Sequence, residues 1–278
     1  ERQGTAQELQ VLMDQLPQAL SQHIQQLFTS DQLHWLNEIY LQLGQHPECI
    51  FAQDDGSTTR QRILDRPCTL AEIDIFAHFF LQEGGSIGTS KRRGISGTIH
   101  RVSLITDPSS RPVEKVLGVT VRVGRAMEGL MDTMANGMTL LEPLIRYRHS
   151  LLLIGRPGVG KSTALREIAC ILSQNPNLVV VVVDKTKELA GDGETPHPAI
   201  GSSRWMPVGL RNKQHEIMLE AVENQSPDVV IVDEISTPEE VKAAQTIAQR
   251  GVMLIATVHG STVPELIKDS ERSRLVGG

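Results

Sequence analysis

Two patterns of apolar residues divide this chain. Over roughly the first 125 residues, some segments carry apolar residues at helical spacing and others alternate apolar with polar residues. From Leu151 onward, uninterrupted runs of Leu, Ile and Val alternate with helical segments, which is typical of a parallel sheet covered by helices on both faces. The patterns predict an α+β domain over residues 1–125, a connector over 126–150 and an α/β domain over 151–278.

The first domain is predicted to begin with helices. Helical spacing extends over residues 5–43 with interruptions near Pro17 and Ser30, and Ser30 or Asp31 is the expected N-cap of the last helix. A further helix is predicted over residues 69–81. Alternating patterns predict strands over residues 49–52, 60–64, 98–106 and 115–123.

The second domain is predicted to contain four buried strands, each followed by a helix. The apolar runs that predict the strands cover residues 151–154, 178–183, 228–232 and 252–257. The helices that follow them are expected to begin at Lys161, Lys213, Pro238 and Val263.

Composition narrows the class of protein. Hydrophobic residues make up 40% of the chain but aromatic residues only 3%, so the core must consist mainly of Leu, Ile, Val and Met. A formal net charge of -6 gives no overall electrostatic support for a nucleic-acid coat or a membrane-surface binder. Three widely spaced cysteines without a C-x-x-C pair argue against a disulfide framework and a zinc site. No apolar run reaches the roughly 18 residues that a membrane helix needs.

A glycine-rich motif follows the first strand of the second domain. The residues from Gly155 to Ser162 read G-x-x-x-x-G-K-S and lead directly into a predicted helix. Glycines let backbone N–H groups surround phosphates, and the helix N-terminus adds partial positive charge. A chance glycine turn is the alternative, which the flanking strand and helix disfavour. The residues expected to bind ATP here are Gly155, Gly158, Gly160, Lys161 toward the β- and γ-phosphates, Ser162 toward Mg²⁺ and Thr163 toward the α-phosphate.

Acidic residues end another predicted strand. Asp233 and Glu234 follow the apolar run over residues 228–232. In a P-loop NTPase, Asp233 would support Mg²⁺ and Glu234 would polarise the attacking water. Adjacent acids can also mark the start of a helix, here before Pro238.

The next strand ends in further polar residues. Thr257 and His259 are expected at the same carboxyl edge of the sheet, where open α/β sheets bind ligands. Either side chain could sense the γ-phosphate. A histidine at a strand end can equally be a structural cap.

The segment after the second strand, residues 184–205, allows three interpretations: a catalytic loop, a metal site or a solvated turn. Glu188 emerges near the expected phosphates, and in RecA-like folds such a loop can orient water, so Glu188 is a second candidate for the general base. Asp192, Glu194 and His197 could bind a metal, but glycines and prolines separate them. Acids and glycines are also common in solvated loops.

Arginines offer two further interpretations. Ring-forming NTPases often complete their site with an arginine from a neighbouring subunit, and Arg204 is the first candidate here. The alternative is that Arg204 is simply an exposed, solvated side chain. Lys91, Arg92, Arg93 and Arg101 could form a local patch for a nucleic-acid backbone. No aromatic residue interleaves that patch, so base stacking is not supported.

Several motifs together resemble one family, the stage III sporulation protein AA group and its cyanobacterial and plastid relatives, the Ycf-type AAA ATPases. The glycine-rich loop is shared with many unrelated proteins, whereas the Gly-Asp-Gly and Pro-His-x-x-Ile-Gly segments are more specific. In this family the loop after the second strand typically reads Asp-Thr-Ser-Asn-Glu-Ile. The segments that carry the resemblance are residues 65–67, 97–103, 122–125, 155–162, 190–193, 196–201, 220–224 and 233–235.

More distantly, the chain resembles type II and IV secretion and pilus-retraction ATPases. In these proteins a small α+β domain precedes a RecA-like domain, and a strand-end Thr-x-His motif, here Thr257 and His259, follows the acidic strand end. The resemblances imply a RecA-like P-loop ATPase domain behind a smaller α+β domain. They also imply a ring, with a homo-hexamer as the expected form and nucleotide bound between protomers.

These resemblances set the functional expectation. The chain is expected to hydrolyse ATP with Mg²⁺ by in-line attack of water and to act on a nucleic acid or a protein assembly. The alternatives are a nucleotide-gated scaffold with little turnover and a kinase or other phosphoryl transferase. The family carries a nucleic-acid-binding domain farther on, so we expect the chain to be truncated at its C-terminus. The expected location is the cytoplasm, or the plastid stroma in a photosynthetic eukaryote.

Overall fold

The computed structural model describes residues 2–53, 56–81, 91–110, 115–126, 129, 131, 137–209 and 213–277. The chain divides into two compact units. The first comprises Glu1–Arg125 with Gly191–Glu194, and the second comprises Ala126–Ala190 with Thr195–Gly278.

Helices in the first unit largely follow the predicted periodicity, and the predicted break at Pro17 is confirmed. The N-cap of α3 is Thr29, not Ser30 or Asp31: the Thr29 hydroxyl accepts from the Gln32 N–H at 3.2 Å, while the Gln32 side chain accepts from the Thr29 N–H at 2.9 Å. This reciprocal pair satisfies two backbone donors that the first helical turn leaves free. The helices are α1 (Arg2–Gln15), α2 (Gln18–Leu27), α3 (Ser30–His34) and α4 (Leu70–Leu81).

The first unit contains a six-stranded antiparallel sheet of order β3-β2-β1-β6-β5-β4. The prediction that helix continues to residue 43 is wrong, because Leu36–Gln42 forms a central strand between β2 and β6. One of its partners, β6, is distant in sequence, and the local spacing of apolar residues cannot reveal pairing with a distant strand. The strands are β1 (Leu36–Gln42), β2 (Glu48–Ala52), β3 (Thr58–Arg62), β4 (Arg92–Gly94), β5 (Arg101–Asp107) and β6 (Lys115–Arg122).

Thr69 and Glu72 form a capping arrangement at the start of α4. The Glu72 carboxylate accepts from the Thr69 N–H at 2.9 Å and from both terminal nitrogens of Arg66, at 2.6 and 3.0 Å. Hydrogen bonding from Arg66 is the main reason that the pKa of Glu72 is lowered to about 2. The Asp65-Arg66-Pro67 turn is therefore fixed to the helix that follows it.

Buried polar contacts explain two other motifs of the first unit. The Gly124 N–H donates to His100 Nδ1 at 3.0 Å, so Nδ1 is the acceptor and His100 Nε2 donates to the Glu8 carbonyl at 2.9 Å. Within the same unit, the Asp192 carboxylate accepts from the Gly94 N–H at 2.8 Å, and a side chain on Gly94 would collide with Asp192. These contacts account for the two motifs by hydrogen bonding and close packing within the unit.

The second unit contains a five-stranded parallel sheet of order β7-β11-β10-β8-β9. The four predicted strands are confirmed, and β9 is an additional edge strand that the sequence patterns did not predict because it lacks an apolar run. The strands are β7 (Leu151–Gly155), β8 (Val180–Asp184), β9 (Arg204–Pro207), β10 (Val229–Val232) and β11 (Met253–His259).

Helices cover both faces of this sheet, as predicted. One core cluster joins β8, β10 and β11 to residues of α7 and α8, and the other joins alternate residues of the same strands to residues of α5 and α6. No helix in the described ranges has the length and apolar character needed to cross a bilayer. The helices are α5 (Gly137–Tyr147), α6 (Lys161–Ser173), α7 (Gln214–Gln225), α8 (Pro238–Gln249) and α9 (Val263–Lys268), with short 3-10 turns at Pro198–Ile200 and Arg272–Val276.

Candidate functional site

Three polar side chains form a row at the carboxyl edge of the parallel sheet. Val232 pairs with Val183 on one side and with Ala256 on the other, so the next residues in register are Asp184 on β8, Asp233 directly after β10 and Thr257 on β11. On each strand the residue two positions earlier packs against α6 or α5. Strand alternation therefore places all three side chains on the α6 face, toward the helix that begins at Lys161.

The glycine-rich loop connects β7 to α6, as the motif predicted. Gly158 and Gly160 have φ angles of +81° and +94°, a region that favours glycine. The Lys161 ammonium donates to the carbonyls of Gly155 and Arg156 at 2.7 and 2.9 Å. The loop thus curls around the side chain of Lys161 at the N-terminus of α6, where partial positive charge favours anions.

Two hydroxyl groups donate to the Asp233 carboxylate, one to each oxygen. Ser162 Oγ donates to Asp233 Oδ1 at 3.3 Å, and the Thr186 hydroxyl donates to Asp233 Oδ2. The Thr257 hydroxyl donates to the backbone carbonyl of Asp233. The structure therefore brings together the predicted residues Ser162, Asp233 and Thr257, and adds Thr186.

Burial and mutual repulsion shift the pKa values of the two aspartates upward. Burial is the largest cause for Asp184, whose pKa is raised to about 7, and the neighbouring Asp233 charge adds to it. Burial also raises the pKa of Asp233 to about 6; the Thr186 hydroxyl opposes this shift, whereas the charges of Glu188 and Glu234 reinforce it. A cation at this edge would relieve the repulsion.

We predict that Asp184→Asn raises stability at alkaline pH. Because the folded-state pKa lies above the ordinary value of 3.8, the native state holds this proton to higher pH than the unfolded chain, and stability falls as pH rises from about 4 to about 7. Removing the charge should weaken that decline and add on the order of 1 kcal/mol at pH 8. Urea denaturation at pH 5 and pH 8 without Mg²⁺ measures the effect. Exposed Asp14→Asn is the control, and a curve for Asp184→Asn that stays parallel to the wild type would contradict the prediction.

Glu234 and His259 lie next to this row. His259 Nε2 is 3.3 Å from Glu234 Oε2, and the buried Gln214 side chain donates to the Glu234 carbonyl at 2.5 Å. Glu188 is half-buried, and it lies close enough for its charge to raise the pKa of Asp233. Both candidate bases therefore lie in the electrostatic field of the Asp233 carboxylate.

The oxygen donors fit a small hard cation bound together with phosphates. Mg²⁺ prefers oxygen ligands and usually takes only one or two from the protein, with water and phosphate completing its shell. The Ser162 hydroxyl and the Asp233 carboxylate meet that requirement at the N-terminus of α6. No group of three or more His, Cys, Asp or Glu side chains suited to a metal occurs among the residues that the structure describes, Asp192, Glu194 and His197 included.

Arg204 lies away from the glycine-rich loop in the same chain. It pairs with Val181 on β8, whereas Pro207 pairs with Asp184, so Arg204 is about 10 Å from the carboxyl edge. Its guanidinium donates to the Gln225 carbonyl at the C-terminus of α7 at 2.9 Å. This contact caps a helix within the chain, and the arginine stays largely exposed.

The Pro-His-x-x-Ile-Gly segment is a compact structural turn. His197 Nδ1 accepts from the Ala199 N–H at 3.1 Å, and the His197 N–H donates to the Ala190 carbonyl at 2.8 Å. At Gly201, where φ is +61°, an added Cβ would lie 2.2 Å from Ser173 Oγ and 3.1 Å from Cys170 Cα. Close packing against the end of α6 explains why glycine occupies this position.

We predict that Gly201→Ala lowers the free energy of unfolding by about 3 kcal/mol, because backbone strain and a collision combine. Gly251→Ala is the matched control: its φ is +76°, but nothing lies within 4 Å of an added Cβ, so it should cost about 1–2 kcal/mol. Urea denaturation gives both values. Equal costs at the two positions would show that the collision is absent.

Sequence reasoning missed two residues of this region, Lys185 and Thr186. Lys185 is paired with Glu240, and Thr186 contacts Asp233. The only sequence signal was a hydroxyl residue two positions after the aspartate that ends β8, in a segment without regular secondary structure.

The chain is similar in sequence to known proteins. The sequence profile of the family described as sporulation stage III, protein AA matches residues 76–276. The uncharacterised protein ycf45 of Porphyra purpurea is 37% identical over 273 residues, and the protein SEEDLING PLASTID DEVELOPMENT 1 of Arabidopsis thaliana is 37% identical over 271 residues. Each alignment covers 98% of this chain but only 44% and 36%, respectively, of the relatives.

Solved structures show the same fold. The pilus retraction motor PilT, whose structure was solved with bound ADP, superposes with a TM-score of 0.58 at 19% identity, covering 88% of this chain and 68% of PilT. At that identity the likeness concerns the fold alone. The predicted similarity to pilus-retraction proteins is thereby confirmed at the level of architecture.

Proposed function

The chain belongs to the family described as sporulation stage III, protein AA, and from that premise we propose that it is a Mg²⁺-dependent ATPase that works as a homo-oligomeric ring. The observation that carries the proposal is the convergence of Lys161, Ser162 and Asp233 where the glycine-rich loop enters α6. A P-loop NTPase needs this combination of a lysine ammonium, a hydroxyl and a carboxylate beside inward-facing backbone N–H groups.

The geometry of the glycine-rich loop supports the proposed binding of phosphates. The backbone N–H groups of the loop and the N-terminus of α6 would surround the phosphates of ATP. Lys161 would exchange the carbonyls of Gly155 and Arg156 for β- and γ-phosphate oxygens. Thr163, half-buried one residue after Ser162, would lie near the α-phosphate.

Ser162 and Asp233 are the residues proposed to hold Mg²⁺, which neutralises phosphate charge when it is bound. Thr257 fixes the backbone of Asp233, and Ser162 orients its carboxylate. Thr257 and His259 end the strand between β7 and β10, where they could report the presence of the γ-phosphate.

Glu234 is the first candidate to orient the attacking water, with Glu188 as the second. Glu234 directly follows Asp233, and His259 contacts its carboxylate at 3.3 Å. A positioned base contributes roughly 10²–10⁴-fold to rate. Attack by water on the γ-phosphorus would break the bond to the β-γ bridging oxygen and yield ADP and phosphate.

The ring proposal concerns the contribution of a second copy. Because Arg204 is distant from the loop of its own chain, a catalytic role for it would have to be exercised in a neighbouring subunit. We propose a hexamer, following the family resemblance.

The substrate on which the ring acts and its location are extensions of the same proposal. We propose that the ATPase remodels a nucleic acid or a protein assembly. We further propose the plastid stroma as its location in photosynthetic eukaryotes, since one relative is named for plastid development, and the cytoplasm otherwise. Stimulation of phosphate release by added single-stranded nucleic acid would support the first of these substrates.

Two measurements test the proposal: phosphate release from ATP reports hydrolysis, and native mass spectrometry reports the oligomeric state. If the protein is an ATPase, an oligomer should release phosphate from ATP, and the expected mass is that of a hexamer. Assembly with ATP but no release would indicate the nucleotide-gated scaffold instead. Transfer of phosphate to an added acceptor, in place of release, would indicate a phosphoryl transferase.

A further inference from the structure

Both oxygens of the Asp233 carboxylate receive a hydroxyl donor. Ser162 Oγ donates to Oδ1 from α6, and the Thr186 hydroxyl donates to Oδ2 from the segment after β8. The Asp233 side chain is buried, so a carboxylate oxygen that lost its donor would have little access to water. Thr186 therefore determines which oxygen faces Ser162.

A buried ion pair holds the segment that carries Thr186. Lys185 Nζ is 2.8 Å from Glu240 Oε1 and 3.0 Å from Ser236 Oγ, and the two charged side chains are only 11% and 2% exposed. The other oxygen of Glu240 accepts from the N–H groups of Ser236 and Thr237 at 2.7 and 3.1 Å. Lys185 thus fixes the segment to the N-terminus of α8, shortly after Asp233 in the sequence.

Backbone contacts fix the far end of the same segment. The Asp184 carboxylate accepts from the N–H groups of Leu189 and Ala190 at 3.1 and 2.9 Å, which closes a tight turn. Within it, Lys187 has a φ of +57°, an uncommon conformation for a residue with a side chain. With both ends fixed, Thr186 has little freedom to leave Asp233.

We propose that Thr186 is a positioning residue for the metal-binding carboxylate, and that the Lys185–Glu240 pair keeps it in place. The inference rests on the proposed function, since it assigns Mg²⁺ to Ser162 and Asp233. In this role Thr186 acts through its hydrogen bond to Asp233. Its loss should weaken the binding of metal while the glycine-rich loop retains its affinity for nucleotide phosphates.

The test compares Thr186→Val, which replaces the hydroxyl by a methyl group, with Thr186→Ser, which keeps the hydroxyl. Mn²⁺ binding to the protein–ADP complex is followed by electron paramagnetic resonance, and ADP affinity is measured separately in EDTA. Thr186→Val is expected to weaken Mn²⁺ binding about tenfold, the loss of one hydrogen bond to a charged group. Thr186→Ser should stay within about twofold of the wild type, and ADP affinity in EDTA should not change.

A second pair of variants tests the anchor. Lys185→Met should also weaken Mn²⁺ binding, and its effect combined with Thr186→Val should be smaller than the product of the two, because both act on one contact. Lys213→Met, in an exposed ion pair with Glu216, is the matched control and should change nothing. Thr186→Ala, which adds no volume, is expected to match Thr186→Val, and thermal melting checks that each variant is folded.

Three results would overturn the inference: unchanged Mn²⁺ affinity in folded Thr186→Val and Thr186→Ala, equal loss in Thr186→Ser, or an equal loss of ADP affinity in EDTA. The readout does not require hydrolysis. Wild-type protein that binds Mn²⁺ and ADP without releasing phosphate from ATP would contradict the proposed function and leave the role of Thr186 standing. Rapid phosphate release with unaffected Thr186 variants would do the reverse.

Discussion

Lys161→Ala is expected to reduce ATP turnover at least 100-fold and to weaken ATP binding about tenfold or more. The lysine supplies the positive charge nearest to the expected β- and γ-phosphates, and charge-assisted contacts of this kind are strengthened in the transition state. Truncation also removes the two hydrogen bonds that Lys161 makes to loop carbonyls. Steady-state phosphate release and binding of a fluorescent ATP analogue measure the two effects.

Lys213→Ala controls for the loss of a lysine as such. Lys213 forms an exposed pair with Glu216, outside the row of Asp184, Asp233 and Thr257, so its removal should leave turnover within about twofold of the wild type. Thermal melting of both variants separates loss of function from loss of folding. Turnover in Lys161→Ala above half of the wild-type rate would mean that the glycine-rich loop is not the site of hydrolysis.

Glu234→Gln is expected to lower kcat by roughly 10²–10⁴-fold with ATP affinity nearly unchanged. Glutamine keeps the shape of the side chain and an oxygen that can accept from His259, but it cannot take a proton from water. Single-turnover phosphate release beside equilibrium ATP binding separates the chemical step from binding.

Glu188→Gln is the matched comparison at the second candidate base. The charge of Glu188 raises the pKa of Asp233, but Glu188 does not directly follow Asp233 as Glu234 does. We therefore expect Glu188→Gln to lower kcat by less than about tenfold. The reverse ranking would assign the water to Glu188. If neither variant slows single-turnover release, neither carboxylate orients the water.

Contiguous motifs could be predicted from sequence because their chemistry requires adjacent residues. The glycine-rich loop, the aspartate and glutamate after β10, and the threonine at the end of β11 each follow an apolar run that identifies a buried strand. Parallel strands then bring those ends to one edge of the sheet. The positions of Ser162, Asp233 and Thr257 needed nothing beyond this rule.

Features that depend on distant partners could not be predicted in this way. Residues 36–42 have helical spacing, but pairing with β6, distant in sequence, makes them a strand. Thr186 looks like any polar loop residue in the sequence, and its contact with Asp233 depends on how the segment after β8 folds back toward the strand end of β10. Arg204 follows the segment after β8 in the sequence, and only strand register shows that it begins β9 about 10 Å from the carboxyl edge.

A structure of the assembled protein with Mg²⁺ and a non-hydrolysable ATP analogue would show whether nucleotide and metal bind at the glycine-rich loop. We expect the β- and γ-phosphates beside Lys161, the metal in contact with Ser162 and on the Asp233 side of the loop, and a water within hydrogen-bonding distance of Glu234 or Glu188. Nucleotide bound away from the loop between β7 and α6, or phosphates that do not approach Lys161 and Ser162, would contradict it.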